Sequence, residues 1–244
     1  MWKFASDKAK ILNNIDIVLV CPQVAENIGL VARTLKNTCF SHLSLVNPNL
    51  TPKSYEVAKR ARDLLEGANK FSTLKEALAQ SYFAFATTRR TRAQKFIYNF
   101  DEILPLIISQ AQKKRVSIVL GKESFGLSQK EIDLCDSVFF LPANPGFPSY
   151  NLSLAVGIVC YEIAQELHTL SQLPSLELAA KKDIETLFSY LEKKLKSHRD
   201  KKKAETALHS LRRLATRTHL TRNEVSLLKN LIIDKGNKYG TSQP

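Results

Sequence analysis

From Ile15 to Leu167 the apolar positions follow two alternating patterns. Five short runs, Ile15 to Val20, His42 to Val46, Ser81 to Ala86, Val116 to Leu120 and Ser137 to Leu141, are largely apolar. Runs of that length read as strands buried on both faces, the pattern of a parallel sheet. Between them apolar residues recur at helical spacing over Asn27 to Asn37, Ser54 to Leu64 and Asn99 to Gln112, with a kink expected at Pro105. A last helix carries Leu152, Ala155, Val156, Val159 and Ile163. Two short helices are announced by their first turns. Thr73 stands three residues before Glu76, and Ser128 three before Glu131, the spacing at which hydroxyl and carboxylate cap each other's backbone N–H groups. Strand, crossover helix, strand is the parallel unit, so residues 1–173 are expected to form one α/β domain with a mostly parallel sheet.

The stretch between the fifth strand and the last helix stands apart. Pro142, Pro145, Pro148 and Gly146 fall within seven residues, so it continues neither helix nor ladder and must hold a fixed irregular path. Ser149 and Asn151 then supply N-cap chemistry. An ordinary strand-to-helix connection satisfies the periodicity; a loop this stiff also suits the presentation of its own backbone groups.

Beyond Leu173-Pro174-Ser175 the composition changes. Residues 175–244 hold 16 Lys and Arg against 8 Asp and Glu, a net +8 out of +13 for the 244-residue chain. Leu187, Leu191 and Leu195, then Leu208, Leu211 and Leu214, recur at helical spacing, and Thr221 with Glu224 makes a third capping box ahead of Val225, Leu227 and Leu228. Residues 174–244 are therefore expected to be a basic helical extension and a candidate for RNA binding. The run Lys193 to Lys203 fits a solvated helix face and a nucleic-acid contact equally well. The charge favours a polyanionic partner. No membrane is expected, because the longest apolar run, Leu152 to Tyr161, contains Ser153 and is too short to span. The first ten residues, MWKFASDKAK, lack the apolar stretch of a signal peptide, and Cys21, Cys39, Cys135 and Cys160 show no paired spacing. A cytoplasmic protein with structural thiols is the expectation.

Ligands of open parallel sheets bind beyond the carboxyl ends of the strands, which singles out four segments. Asn27-Ile28-Gly29-Leu30-Val31-Ala32-Arg33 follows the first strand. Helical side chains lean toward the N-terminus, so Arg33 is expected to pass over Gly29, with room for an anion beside the guanidinium. A surface arginine near a helix-start glycine accounts for the same residues. Thr87-Thr88-Arg89-Arg90 follows the third strand, Gly121-Lys122-Glu123-Ser124-Phe125-Gly126-Leu127 the fourth, and the proline-rich loop the fifth. Gly121 and Gly126 are two of eight glycines, and placing both at one strand end argues for close backbone approach or positive φ. The sequence contains no dinucleotide glycine fingerprint, no Walker pattern and no assembly of Ser/His/Asp or metal ligands; no metal is expected.

NIGLVAR after the first strand, VLGKESFGLS at the end of the fourth and LPANPGFPSYNLSLA after the fifth, in that order and spacing, resemble the SPOUT class of RNA 2′-O-ribose methyltransferases, in its TrmH-type branch. The resemblance covers about Ile15 to Leu167. The tail, with Leu211-Arg212-Arg213-Leu214 and Leu220-Thr221-Arg222-Asn223-Glu224-Val225, is similar to the C-terminal extension of the TrmJ subfamily, whose members methylate a pyrimidine ribose in the tRNA anticodon loop. The resemblance implies a deep trefoil knot made by the 142–148 loop and the following helix, which no periodicity argument could yield. It also implies a homodimer packed about the knot. S-adenosylmethionine would lie among Thr87, Thr88 and Arg89, Gly121, and Leu141 with Pro148, Ser149 and Tyr150. By the same resemblance Arg33 is catalytic, with Asn27, Glu123, Ser149 and Asn151 around it. Since a guanidinium scarcely deprotonates, the role expected of Arg33 is to hold a phosphate and stabilise an alkoxide. Cys39 stands where relatives place a glycine, so the first helix must end without easy left-handed geometry. A ribosomal RNA substrate and a catalytically silent RNA-binding protein on the same scaffold are the alternatives.

Overall fold

Seven strands, every pairing parallel, build the first of the two compact units into which the chain divides, 1–175 and 176–244. The computed structural model describes residues 2, 4–89, 96–169, 177–195, 200–218 and 220–234. Arg90 and the Leu173-Pro174-Ser175 segment lie outside them. The first unit runs α1 (Ser6–Asn13), β1 (Ile15–Val20), α2 (Ala25–Asn37), β2 (His42–Val46), α3 (Pro52–Ala58), α4 (Arg62–Glu66), β3 (Asn69–Phe71), α5 (Leu74–Ala77) and β4 (Phe83–Thr87). It continues with β5 (Ile97–Asn99), α6 (Phe100–Lys113), β6 (Val116–Leu120), α7 (Gln129–Asp133), β7 (Ser137–Phe140) and α8 (Leu152–Thr169). The strand order is β3-β2-β1-β6-β4-β7-β5.

The five apolar runs form the inner strands because each needs cover on both faces. Val18, Val20, Val46, Ala84, Ala86, Val119 and Val138 share one cluster with Leu74, Ala77, Leu127 and Ile132. Alternation sends the fully buried Ile17, Leu19, Phe85, Ile118 and Phe139 to the opposite face. There Phe139 meets Phe100 of α6, with ring centroids 5.2 Å apart.

Departures from the sequence pattern fall at edges and breaks. β3 and β5 close the two sheet edges with three residues each, too short to register as runs. The helix expected over Ser54 to Leu64 is divided into α3, a 3₁₀ turn at Lys59–Ala61 and α4, where Lys59 turns to φ 53°. α6 runs unbroken through Pro105. α1 was not evident from the pattern, although it buries Ile11 and Leu12. All three capping boxes form, at Thr73/Glu76, Ser128/Glu131 and Thr221/Glu224.

The end of α2 resolves the absence of a glycine. Cys39 itself takes the left-handed conformation, φ 64°, and the Phe40 N–H donates to the Leu35 carbonyl at 2.9 Å, closing the helix as a glycine would. Thr38 helps by donating its hydroxyl to the Thr34 carbonyl at 2.8 Å. Phe40, 2% exposed, anchors the turn in the core. A Cβ in this conformation is strained, so Cys39→Gly should raise unfolding free energy by about 0.5–1 kcal/mol, seen as a higher urea midpoint with an unchanged slope.

In the second unit α9 (Lys181–Leu195) packs against both α10 (Lys201–Thr218) and α11 (Arg222–Asp234). Leu187, Phe188, Ala204, Ala215 and Val225 are buried, whereas Leu211, Leu214 and Leu227, which the helical spacing also picked out, are exposed. Arg212 is spent inside the unit: its guanidinium lies 4.6 Å from the Phe188 ring and donates to Glu192 at 2.7 Å. The Lys194 ammonium donates to the Ile232 carbonyl at 2.6 Å, near the negative end of α11. Among the described residues no helix is long and apolar enough to cross a membrane.

Candidate active site

Parallel pairing brings every strand's carboxyl end to one edge, and there the segments after β4, β6 and β7 surround an open cleft. Thr87, Thr88 and Arg89 line it from β4, the turn Gly121 to Leu127 from β6, and Leu141, Pro148, Ser149 and Tyr150 from β7. The first turns of α8 add Leu152 and Ala155. All eight residues expected to hold the cofactor are therefore brought together, Ser149 belonging to the catalytic set as well, and Glu123 of that set joins them. Leu152 is buried, as its helical spacing with Val156 and Val159 suggests, and Ala155 is half-buried; the period gives the face but not that its first turn also looks onto the cleft.

The cleft is held by one carboxylate. Glu123 accepts from the Gln23 N–H at 2.8 Å, the Val24 N–H at 3.2 Å and the Asn27 side-chain amide at 2.9 Å, so it ties the turn after β6 to the start of α2. Ser124 adds a hydroxyl bond to the Gln23 side chain at 2.7 Å. The buried Asn27 accepts in turn from the Asn151 amide at 3.0 Å, and the Asn151 side-chain oxygen caps α8 by accepting from the Ser153 N–H at 2.9 Å. Glu123, Asn27 and Asn151 thus form one relay that joins the turn after β6, the start of α2 and the start of α8. Their geometry is that of positioning groups. Gln23 was not singled out from the sequence; a glutamine just past a strand carries no signal.

Partial burial pushes the Glu123 carboxyl up, but the hydrogen bonds from Asn27 and from the N–H groups of Gln23, Glu123 and Val24 outweigh it, and the group sits below its ordinary value. Its contribution to stability is complete above the unfolded-chain value of about 4.3 and is lost as pH falls through the folded value. Glu123→Gln sets an amide where donors converge. We expect it to cost about 1–2 kcal/mol at neutral pH, with the gap to wild type closing below about pH 4 in urea titrations.

The proline-rich loop is closed on itself. The Tyr150 hydroxyl donates to the Pro142 carbonyl at 2.7 Å, and Asn144 accepts from the N–H groups of Gly146, at 2.8 Å, and Phe147, at 2.9 Å. Ser149 stands exposed on the cleft wall. The cleft offers apolar walls at Leu120, Leu141 and Leu152 together with hydroxyls and main-chain groups. Arg89 and Lys122 add two cations to the lining, so the set suits a nucleoside that carries or neighbours an anionic group. Among the described residues no cluster of three or more His, Cys, Asp or Glu is placed to hold a metal ion.

Gly29 acts otherwise than the sequence suggested, whereas Gly121 shows the close backbone approach expected of it. A Cβ on Gly29 would lie 2.3 Å from the Ser54 carbonyl oxygen, so the space over Gly29 is filled by α3 and offers no room for an anion. A Cβ on Gly121 would lie 2.2 Å from the Gly126 carbonyl carbon and 2.3 Å from the Leu127 nitrogen, so this glycine lets the turn fold back on the strand end, more than it opens a path for a ligand. Arg33 is exposed and, unlike the other catalytic candidates, neither lines the cleft nor joins the relay. Among the described residues it has no hydrogen-bond or ion-pair partner. Cys160 is inert, its thiol pushed up by burial despite a hydrogen bond with Thr38.

Residues 14–161, which contain the sheet's inner strands and the whole cleft, match the model of the SpoU rRNA Methylase family. The chain belongs to that family. Among curated relatives of this SpoU methylase, TrmJ of Photorhabdus laumondii, a tRNA (cytidine/uridine-2′-O-)-methyltransferase, is 31% identical over 91% of the chain and 96% of its own length. LasT of Escherichia coli K12, an uncharacterized tRNA/rRNA methyltransferase, is 36% identical over 66% of the chain and 71% of its own length. Among solved structures, TrmJ from Z. mobilis superposes with a TM-score of 0.61 at 29% identity, covering 90% of this chain and 98% of that one. A probable methylase from Haemophilus influenzae gives 0.65 at 26% identity, covering 91% and 95%. The protein is an RNA methyltransferase.

Proposed function

We propose that this SpoU methylase transfers a methyl group from S-adenosylmethionine to the ribose 2′-hydroxyl of a pyrimidine nucleotide in the tRNA anticodon loop. The observation that carries the reading is the convergence of three post-strand segments on one cleft that combines apolar walls, hydroxyls and main-chain groups. Similarity to TrmJ over nearly the whole chain favours tRNA over ribosomal RNA, and the intact relay with an unengaged Arg33 and Ser149 at the cleft wall favours an enzyme over a silent binder.

Leu141, Leu152 and Ala155 would hold the adenine side of S-adenosylmethionine, with Thr87, Thr88 and main-chain groups of Gly121 and Tyr150 on its polar atoms. That group supplies an electrophilic methyl on a sulfonium. With it bound there, the 2′-oxygen would take that methyl with the sulfur as the leaving group, while the hydroxyl proton would leave to phosphate or water. The protein's part is to align the two groups and favour the developing alkoxide. Arg33, permanently charged and with a forked donor set, holds the neighbouring phosphate and the alkoxide; Ser149 donates at the cleft wall.

Arg33 stands outside the lining of its own cleft, on a surface with exposed Leu30, while α8, packed on α2, exposes Leu154 and Tyr161. Apolar side chains of two adjacent helices left open in this way suit a second copy, and a homodimer completes the site by bringing a guanidinium to a cleft. The family further supports a trefoil knot at the 142–148 loop and α8, a domain boundary near residue 173, and a cytoplasmic location. Nucleoside mass spectrometry of tRNA from cells with and without the gene tests the function: loss of one 2′-O-methylpyrimidine is expected, and an unchanged profile contradicts it.

The basic extension would add RNA affinity. Lys201, Lys202 and Lys203 are exposed. Replacing all three by Gln should flatten the logarithmic salt dependence of tRNA binding by about 0.7–0.9 for each phosphate that is no longer neutralised. An unchanged slope would assign the run to a solvated face.

A further inference from the structure

The turn after β6 is fixed at almost every residue. The Gly126 N–H donates to the Lys122 carbonyl at 2.8 Å and Gly126 takes φ 68°. Gly121 leaves no room for a Cβ, Glu123 is held by three donors, Ser124 bonds Gln23, and Leu127 is buried in the core. Phe125 is the exception. Its ring lines the cleft yet is 62% exposed, and the Lys122 ammonium lies 5.6 Å from the ring centroid. A large apolar ring presented to water on so constrained a turn is costly, and nothing in the turn requires it.

We propose that Phe125 is the platform on which the base of the acceptor nucleotide stacks, with Lys122 beside it on that nucleotide's phosphate. The inference rests on the methyltransferase reading above. A ribose whose 2′-oxygen meets a methyl in the cleft places its base one glycosidic bond away, at the rim. That base must leave its neighbours in the RNA stack, and an aromatic side chain is the usual replacement for the stacking it gives up. The ring's electron-rich face accepts both the ammonium and a base, and the ammonium remains within reach of the sugar–phosphate chain. Leu120, Leu141 and Leu152 line the same cleft and offer apolar surface to the cofactor besides the ring. Stacking reads no base edge, so the platform serves cytidine and uridine alike.

The test uses the full-length protein, a tRNA transcript methylated by wild type, and saturating S-adenosylmethionine. Phe125→Leu keeps an apolar side chain and removes the flat face; Phe125→Trp keeps the face. The Leu variant should show roughly a tenfold higher KM for tRNA, about 1.4 kcal/mol, for cytidine and uridine substrates equally. The Trp variant should stay within about twofold of wild type, and both should bind S-adenosylmethionine and scatter light as wild type does. A Leu variant with an unchanged KM overturns the proposal. So does a loss that appears in cofactor affinity, which assigns the ring to the cofactor, or in oligomeric state, which assigns it to a second copy. A wild-type protein that transfers no methyl to any tRNA overturns the function itself, and this inference with it.

Discussion

Arg33→Lys is expected to lower the rate of methyl transfer by at least a hundredfold while S-adenosylmethionine binds within about twofold of wild type. The exposed guanidinium has no hydrogen-bond or ion-pair partner among the described residues, so the substitution disturbs no structural bond and its effect reports on chemistry alone. Lysine keeps the charge but replaces a planar fork by a point donor that cannot bridge a phosphate and an alkoxide together. Loss of one donor aimed at a developing oxyanion costs a factor of about 10² to 10³. Single-turnover rates with separate calorimetry of the cofactor distinguish the two effects. A Lys variant that turns over like wild type removes Arg33 from the mechanism.

Gly121→Ala is expected to weaken cofactor binding more than tenfold, at about 1.4 kcal/mol per factor of ten, and to lower the melting temperature. The added methyl would sit 2.2 Å from the Gly126 backbone, and since the obstacle is main chain, the turn itself must move. Moving it pulls Glu123 from Gln23, Val24 and Asn27 and takes the cleft wall with it. Gly126→Ala is the matched control. Nothing lies within 4 Å of a Cβ there, so only the positive φ is strained, and the cost should stay near about 1–2 kcal/mol of stability with a smaller loss of affinity. Equal effects at the two glycines, or an unchanged affinity in Gly121→Ala, would contradict the steric account.

The sequence made most of the frame legible because the inner strands are buried on both faces and therefore read as unbroken apolar runs. Capping boxes were equally plain, since Thr73, Ser128 and Thr221 each meet a glutamate at a fixed spacing. What escaped has a common cause. Asn69–Phe71 and Ile97–Asn99 are edge strands that need one ladder and little burial, so their residues carry no period. Lys59 and Cys39 adopt positive φ without a glycine to announce it. Gly29 was read as leaving room beside Arg33, but only the fold shows that α3 occupies that space. Similarly, the residues of the cleft were named by resemblance to a family, whereas the division between groups that fix the turn and the one ring left outside it required the hydrogen bonds themselves.

The most direct test of the central reading is in vitro transfer with purified protein, S-adenosylmethionine labelled on the methyl, and unmodified tRNA, followed by nuclease digestion and mass spectrometry. The expected product is a single 2′-O-methylated pyrimidine nucleoside, absent when the acceptor nucleotide carries a 2′-deoxyribose. Label found on a base, or no label on tRNA from a folded protein that binds the cofactor, would contradict it.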